Sequence, residues 1–290
     1  MTDSIKTIGI IGGDKRQLYL ADSFIKDGFR VILGGFDTLK SVGDIAITDV
    51  GSAVSYSDII IFPLPSIRSD GSINAPFSQG NIYLTDSELD SLSKKPVFTS
   101  FREKLIKAYP KLGSFAVFDY ASREDFAILN AVPTAEGAVE CAMCAYEGTI
   151  AGSKSLVTGY GRIGKVLASK LKALGSSVTV SARKFEDLAY INALGYKAVN
   201  TSELKKVDGY DLVFNTIPAL IFDEALLKNT GRNTLIIDLA SAPGGVDFEA
   251  ARSLKIDAQR ALSLPGKCAP KTAAEIIKQT VTSIIKEVNW

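Results

Sequence analysis

Three glycines are spaced two and three residues apart in Gly159-Tyr160-Gly161-Arg162-Ile163-Gly164. In such a spacing the first glycine permits a tight turn. The second lets phosphates approach the backbone, and the third lets a helix pack closely on a strand. The chemistry depends on the flanks. Ser155-Leu156-Val157-Thr158 reads as a strand, and residues 165–173 read as a helix ended by Gly175. A turn in that setting points unpaired N–H groups and the positive end of a helix dipole at a pyrophosphate. All six residues of the turn are therefore candidate contacts to a dinucleotide.

The strand that follows selects the dinucleotide. An acid near its end would hydrogen-bond the ribose 2′-hydroxyl of NAD. This strand instead ends Val180-Ser181-Ala182-Arg183-Lys184. A hydroxyl at Ser181 and cations at Arg183 and Lys184 suit the 2′-phosphate of NADP, which a guanidinium can grip in bidentate fashion. Arg162 adds charge or a stacking surface for adenine. Two later strand ends face the same side of a parallel sheet. They are Asn215-Thr216-Ile217-Pro218 and Asp238-Leu239-Ala240-Ser241. Ligands of open α/β sheets lie outside the carboxyl ends of strands, so Asn215, Thr216, Pro218, Asp238 and Ser241 are candidates too.

The elements that must hold these groups form two series. The first has apolar runs at residues 8–11, 29–33, 58–62, 97–99 and 115–118, with a helical pattern over 17–27. The second has runs at 155–158, 177–180, 211–215 and 234–238, preceded by a helix over 135–149 and followed by one over 272–288. Continuous apolar strands separated by helices predict parallel sheets covered on both faces. The expected fold is α/β: two Rossmann-like, doubly wound parallel-sheet domains with a cleft between them. Residues 1–129 form the first domain, with 272–290 packing back on it, and residues 130–271 form the second. Where the second carries its glycine fingerprint, the first reads Gly12-Gly13-Asp14-Lys15-Arg16-Gln17. A carboxylate at Asp14 and a long side chain at Gln17 would obstruct a pyrophosphate. One domain is thus read as the cofactor domain and the other as a relative with a different role.

Composition removes whole reaction classes. The chain has 290 residues and no histidine, which excludes Ser-His-Asp and Cys-His nucleophile systems and the common zinc hydrolases. Proton transfer must then use Asp, Glu, Lys, Tyr, Cys or water. Three cysteines fit a reducing compartment, with thiols as small core residues and no metal site. Cys141 and Cys144 fall on one face of the predicted helix. A formal charge of +1, with acids and bases mixed along the chain, gives no basic track for nucleic acid. The opening Met1-Thr2-Asp3-Ser4-Ile5-Lys6 lacks a signal-peptide pattern, and no apolar run is long enough to span a bilayer. A cytoplasmic location away from membranes is the expectation.

Four polar loops, at residues 12–17, 63–68, 130–137 and 264–273, have no evident structural role. Together they offer cations, hydroxyls and helix N-termini suited to a small carboxylate. Their sequences also carry a resemblance. Gly-Gly-Asp-x-Arg-Gln from Gly12, Asn-Ala-x-Pro-Thr-Ala-Glu-Gly from Asn130, Gly-Tyr-Gly-Arg-Ile-Gly, Asn-Thr-Ile-Pro, Asp-Leu-Ala-Ser-x-Pro-Gly-Gly and Leu-Pro-Gly-Lys-x-Ala-Pro-Lys-Thr-Ala resemble the dipicolinate synthase A-subunit family. The interdomain helix is similar, more distantly, to that of formate/glycerate dehydrogenase-type enzymes.

The resemblance implies NADP-dependent oxidation of dihydrodipicolinate, or its 4-hydroxy-tetrahydro precursor, to dipicolinic acid. As partner it implies a flavoprotein-like B subunit. It also implies a homo-oligomer and the mother-cell cytoplasm of a sporulating bacterium. Two ring carboxylates need two anion holders. Arg16, Arg68, Lys267 or Lys271 are the candidates, with Ser66 and Thr272 as hydroxyl donors. Asp14 and Glu136 are the candidates for proton transfer, although Asp14 could equally hold Arg16 in place. Two other readings stand beside this one. The chain could be another NADP-linked dehydrogenase of a small carboxylic acid, or a non-catalytic NADP-binding subunit.

Overall fold

The computed structural model describes residues 5–43 and 45–289. Residues 1–4, which begin the segment read above for a signal pattern, lie outside that range, as does Trp290 at the end of the last predicted segment. The chain divides into two compact units. One comprises residues 1–129 together with 270–290, and the other comprises residues 130–269.

The first unit contains β1 (Thr7–Ile11), α1 (Lys15–Lys26), β2 (Arg30–Gly34), β3 (Ala46–Thr48), α2 (Val50–Ser55), β4 (Ile59–Ile61), α3 (Asp86–Leu92), β5 (Val97–Thr99), α4 (Arg102–Ala108) and β6 (Val117–Asp119). Helix α5 (Glu124–Ala145) leads out of it. The second unit continues with β7 (Lys154–Thr158), α6 (Arg162–Ala173), β8 (Ser177–Ala182), α7 (Phe185–Ala193), β9 (Lys197–Asn200), β10 (Leu212–Asn215), α8 (Glu224–Leu227), β11 (Leu235–Asp238), α9 (Phe248–Ser253), β12 (Asp257–Arg260) and α10 (Leu264–Cys268). Helix α11 (Pro270–Glu287) then returns to the first unit.

Among the described residues each unit holds one six-stranded parallel sheet. The orders are β3-β2-β1-β4-β5-β6 and β12-β11-β10-β7-β8-β9. In the first, Ile8 pairs with Val31 on one side and Ile59 on the other. In the second, Thr158 pairs with Ser181 and with Asn215. Both orders reverse direction once, between β1 and β4 and between β7 and β10. Such switch points are where ligands bind in doubly wound sheets. The two Rossmann-like parallel sheets expected from the apolar runs are present.

Covering helices present the residues their periodicity requires. On α6 the buried positions Gly164, Leu167, Ala168 and Leu171 follow the i, i+3, i+4, i+7 stripe. On α11 the residues read as its apolar side (Ala273, Ile276, Ile277, Thr280, Ile284 and Ile285) are all buried. Ile276, Ile277, Ile284 and Ile285 join Leu20 and Phe24 of α1 in one core. Lys278 locks that contact: its Nζ reaches Asp27 Oδ2 at 2.7 Å and the Ser23 carbonyl at 2.9 Å.

Two expectations are corrected. Residues 130–137 are not a loop, because α5 begins at Glu124 and contains Pro133 in its interior. Proline removes one helical donor there, and the Thr134 hydroxyl caps the Asn130 carbonyl within the same turn, at 2.6 Å. Residues 264–273 are mostly helical as well, forming α10 and the first turn of α11.

Candidate active site

The second unit's glycine turn is built as its spacing requires. Gly159 has φ +98°, in the left-handed region that disfavours a side chain, and its N–H donates to the Ser181 carbonyl at 3.0 Å. A Cβ on Gly164 would stand 2.1 Å from the Gly159 carbonyl oxygen, so the helix can approach the strand only because that residue is glycine. Gly161 meets nothing within 4 Å and is exposed. It is the N-cap of α6, and no side chain caps that helix. The first-turn N–H groups of α6 thus lack a side-chain acceptor, and the surface above Gly161 is open. That arrangement fits a pyrophosphate. Tyr160 is half-buried against the core below, with Lys165 Nζ 5.2 Å from its ring centre. Ile163 packs on the same core, and Arg162 is exposed.

The corresponding turn of the first unit is closed. Asp14 caps α1, and the side chain of Gln17 accepts the Asp14 N–H at 2.9 Å, forming a capping box. The Asp14 carboxylate also holds Arg16, with Nε–Oδ1 at 2.9 Å and Nη2–Oδ2 at 2.8 Å. Arg16 additionally donates to the Leu64 carbonyl and is buried. The donors that a pyrophosphate would need are therefore already used by the protein. Sequence reading saw Asp14 and Gln17 as obstructions. The Asp-x-x-Gln spacing, a capping-box signature, was the available signal for what they do.

At the end of β8, Arg183 and Lys184 are exposed. Arg183 forms no hydrogen bond or ion pair with another described residue. Lys184 comes within 3.9 Å of Glu186. Ser181 faces inward: it is fully buried and accepts the Thr201 hydroxyl at 3.0 Å. Asn215 and Asp238 are also fully buried. Asn215 Nδ2 donates to Asp238 Oδ1 at 2.7 Å, and Asn215 Oδ1 accepts the Thr158 hydroxyl at 2.6 Å. Asp238 further accepts the N–H groups of Ala240 and Gly245. Thr216 donates its hydroxyl to the Thr158 carbonyl at 2.8 Å, while Pro218 and Ser241 are exposed.

The remaining candidates divide between the units. In the first unit, Ser66 is buried with its hydroxyl on the Ser100 carbonyl at 2.6 Å. Arg68 donates to Asn81 Oδ1 at 3.1 Å, and Lys271 and Thr272 are exposed on the first turn of α11. In the second unit, Glu136 is exposed on α5 and pairs with Lys170 at 2.7 Å. Lys267 lines a cavity of about 600 Å³ together with Cys141, Cys144 and Cys268. Cys141 and Cys268 pack against the second unit's core as expected, whereas Cys144 does not. Cys144 is exposed and the other two are half-buried, because they border this cavity. Burial raises the pKa of the Cys141 and Cys268 thiols, which makes them poor nucleophiles at neutral pH. Among the described residues no group of three or more His, Cys, Asp or Glu could hold a metal.

The family profile for the N-terminal domain of the dipicolinate synthase A subunit matches residues 7–121. The corresponding A subunit of Bacillus subtilis (strain 168) is 33% identical over 285 residues, 97% of this chain and 96% of that protein. The chain belongs to the dipicolinate synthase A-subunit family. Solved structures of family members agree with this. The A subunit of Bacillus halodurans superposes with a TM-score of 0.84 at 32% identity, covering 97% of each chain. That of Bacillus subtilis gives the same score and identity over 99% of this chain and 97% of its own. A transhydrogenase from Sinorhizobium meliloti, at 13% identity and a TM-score of 0.66, shares the fold.

The profile described as NADP oxidoreductase coenzyme F420-dependent matches residues 155–242, which span the glycine turn and both later strand ends. This member of the dipicolinate synthase A-subunit family is thus of the NAD(P)-dependent oxidoreductase type. Membership of such a family implies a partner subunit. Among the described residues, no helix is long and apolar enough to cross a membrane.

Proposed function

We propose that this chain oxidises dihydrodipicolinate, or its 4-hydroxy-tetrahydro precursor, to dipicolinic acid with NADP, as the A subunit of a dipicolinate synthase. The observation that carries the cofactor part is the uncapped turn at Gly161 followed by an unpaired, exposed Arg183 at the end of the next strand. Gly159–Gly164 would take the pyrophosphate, and Arg183 and Lys184 the 2′-phosphate. Ser181, Asn215 and Asp238 are buried and hydrogen-bonded, so their part is to hold the strand ends in register; Thr216, Pro218 and Ser241 are the neighbours left to face the ligand.

The bound nicotinamide supplies the hydride acceptor. The ring carbon of the dihydropyridine gives up a hydride, a second ring position gives up a proton, and the products are the aromatic dicarboxylate and the reduced cofactor. From the 4-hydroxy-tetrahydro form, water leaves as well. Arg16, Arg68, Lys267, Lys271 and Thr272 remain the anion-holding candidates. Asp14 is committed to Arg16 and to capping α1, so it orients that cation. Glu136, exposed beside Lys170, remains the proton-transfer candidate. A homo-oligomeric state, mother-cell cytoplasm and a flavoprotein-like B subunit follow from the family reading.

A second reading has one observation in its favour. Both acids named for proton transfer are engaged in ion pairs. The chain would then hold the cofactor while the B subunit carries the chemistry. The test is to supply substrate with NADP or NAD to this chain alone, to the separate B subunit, then to the mixture, and to follow dipicolinate and reduced cofactor together. Activity with NADP that requires this chain supports the proposal. Reduced cofactor formed from simple 2-hydroxyacids, with no dipicolinate, defeats it.

A further inference from the structure

Gln17 is the third residue of α1 and is completely buried. Its side chain is fixed at both ends of the turn. Oε1 accepts the Asp14 N–H at 2.9 Å, and the carboxamide lies against Gly13, where a Cβ would be 2.3 Å from Oε1. This fixes the orientation of the amide, because Asp14 N–H needs an acceptor and only the oxygen can serve. The nitrogen therefore points the other way. Among the described residues, Gln17 Nε2 is the one buried side-chain nitrogen or oxygen without a hydrogen-bond partner. Buried amide donors are costly to leave unpaired, and an isolated exception in a closed, well-bonded turn calls for an acceptor from outside the chain.

The turn restricts what that acceptor can be. Gly13 N–H donates to the Asn74 carbonyl, and the N–H groups of Arg16 and Gln17 donate to Asp14. No cluster of backbone donors remains for a phosphate. What remains is the single amide donor of Gln17, on the residue after Arg16, whose own Nε and Nη2 are already bonded. The position, at the carboxyl end of β1 beside the switch point with β4, is where a doubly wound sheet receives a small ligand. A carboxylate oxygen is an acceptor without competing donors and suits one neutral N–H in a turn whose own acid, Asp14, is already paired with Arg16.

We infer that Gln17 is a substrate-binding residue whose Nε2 donates to one carboxylate oxygen of the acid handled by the N-terminal unit. This rests on the dicarboxylate reading above. The test is calorimetric titration of the full chain with dipicolinate, with and without NADP, on the unaltered protein and on Gln17→Glu. Glutamate keeps the oxygen that caps Asp14, as capping boxes commonly do, and replaces the donor by an acceptor. The expected result is affinity for dipicolinate at least tenfold weaker at unchanged NADP affinity, with the stability lost to the buried carboxylate read separately as the melting midpoint.

Equal dipicolinate affinity in the two proteins would overturn the role of Gln17 and leave the proposed reaction standing. Failure of the unaltered protein to bind dipicolinate in either state would overturn both. If Gln17→Glu does not fold, the unaltered chain still decides the matter by nitrogen-15 labelling of its four glutamines. The buried Gln17 side-chain amide must shift on adding dipicolinate, and an unmoved resonance at saturation refutes the contact.

Discussion

Asn215 Nδ2 donates to Asp238 Oδ1 at 2.7 Å across the ends of adjacent strands β10 and β11, with both residues fully buried. The same amide accepts the Thr158 hydroxyl from β7, so one side chain ties three strand ends together beneath the glycine turn. Replacing it by leucine takes the side-chain partner from both the N–H and the carbonyl of Ile217, and leaves the Thr158 hydroxyl only a long contact to the Phe214 carbonyl, while Asp238 Oδ1 keeps the Ala240 N–H. The cost expected for Asn215→Leu is about 2–4 kcal/mol, from two or more buried groups left unsatisfied. Urea unfolding followed by circular dichroism measures it. A change within experimental error would show that the network is dispensable.

Arg183 separates the two nicotinamide dinucleotides. Loss of a charge-assisted contact to the 2′-phosphate should weaken NADP by roughly ten- to a hundredfold. NAD, which lacks that phosphate, should be almost unaffected. Titrating Arg183→Ala with both cofactors checks this. Equal affinity of the unaltered protein for both would remove the basis of the assignment.

Gly161 and Gly164 should fail in different ways when changed to alanine. At Gly164 the new methyl meets the Gly159 carbonyl at 2.1 Å. The fold should lose about 1–3 kcal/mol, by analogy with overpacked cores. At Gly161 the backbone φ of −81° accepts alanine and nothing lies within 4 Å. That variant should melt like the parent yet bind cofactor weakly, because its methyl occupies the phosphate approach. Thermal melts paired with cofactor titrations distinguish the two outcomes.

Arg123 clamps the start of α5 to the end of α11. It pairs with Asp125 at 2.9 Å and Glu287 at 2.6 Å. Hydrogen bonds from Arg123 hold both carboxyls below the usual carboxylate range. A depressed folded-state pKa means that the folded form favours the ion. The stabilisation is therefore fully present above the ordinary value, near about 4, and is lost as pH falls through the folded-state values. Melting midpoints should drop on acidification below that value, and Arg123→Gln should flatten that part of the profile. Identical acid slopes for the two proteins would count against the clamp.

How much of this was legible in the sequence depends on burial. The central strands announced themselves because every residue of β4, β5, β10 and β11 is buried, giving apolar runs interrupted only at their carboxyl ends, at Thr99, Asn215 and Asp238. The strands passed over were β3, β9 and β12. All three lie at sheet edges, and their residues are mostly exposed or half-buried. An edge strand is held by one neighbour and covered on fewer sides, so its sequence need not be apolar. Helix α5 was read eleven residues short because Pro133 signals a break that tertiary packing overrides.

The candidate site was legible where backbone geometry dictates residue type, as at Gly159 and Gly164. It was not legible where a side chain's direction decides its part. Ser181 looked like a phosphate ligand but turns into the sheet toward Thr201. Gln17 looked like an obstacle but completes a cap. Neither direction follows from residue type or spacing.

The first unit is interrupted in sequence, whereas the second is continuous. During synthesis the segment bearing Ile276, Ile277, Ile284 and Ile285 leaves the ribosome after the whole second unit has been made. Until then the face of α1 around Leu20 and Phe24 lacks its cover. The usual order, in which the N-terminal unit folds first, is thereby reversed. The cofactor-type unit can mature while its neighbour is still waiting for its last helix, and a released chain truncated at residue 269 would present one finished unit and one sticky, protease-sensitive half.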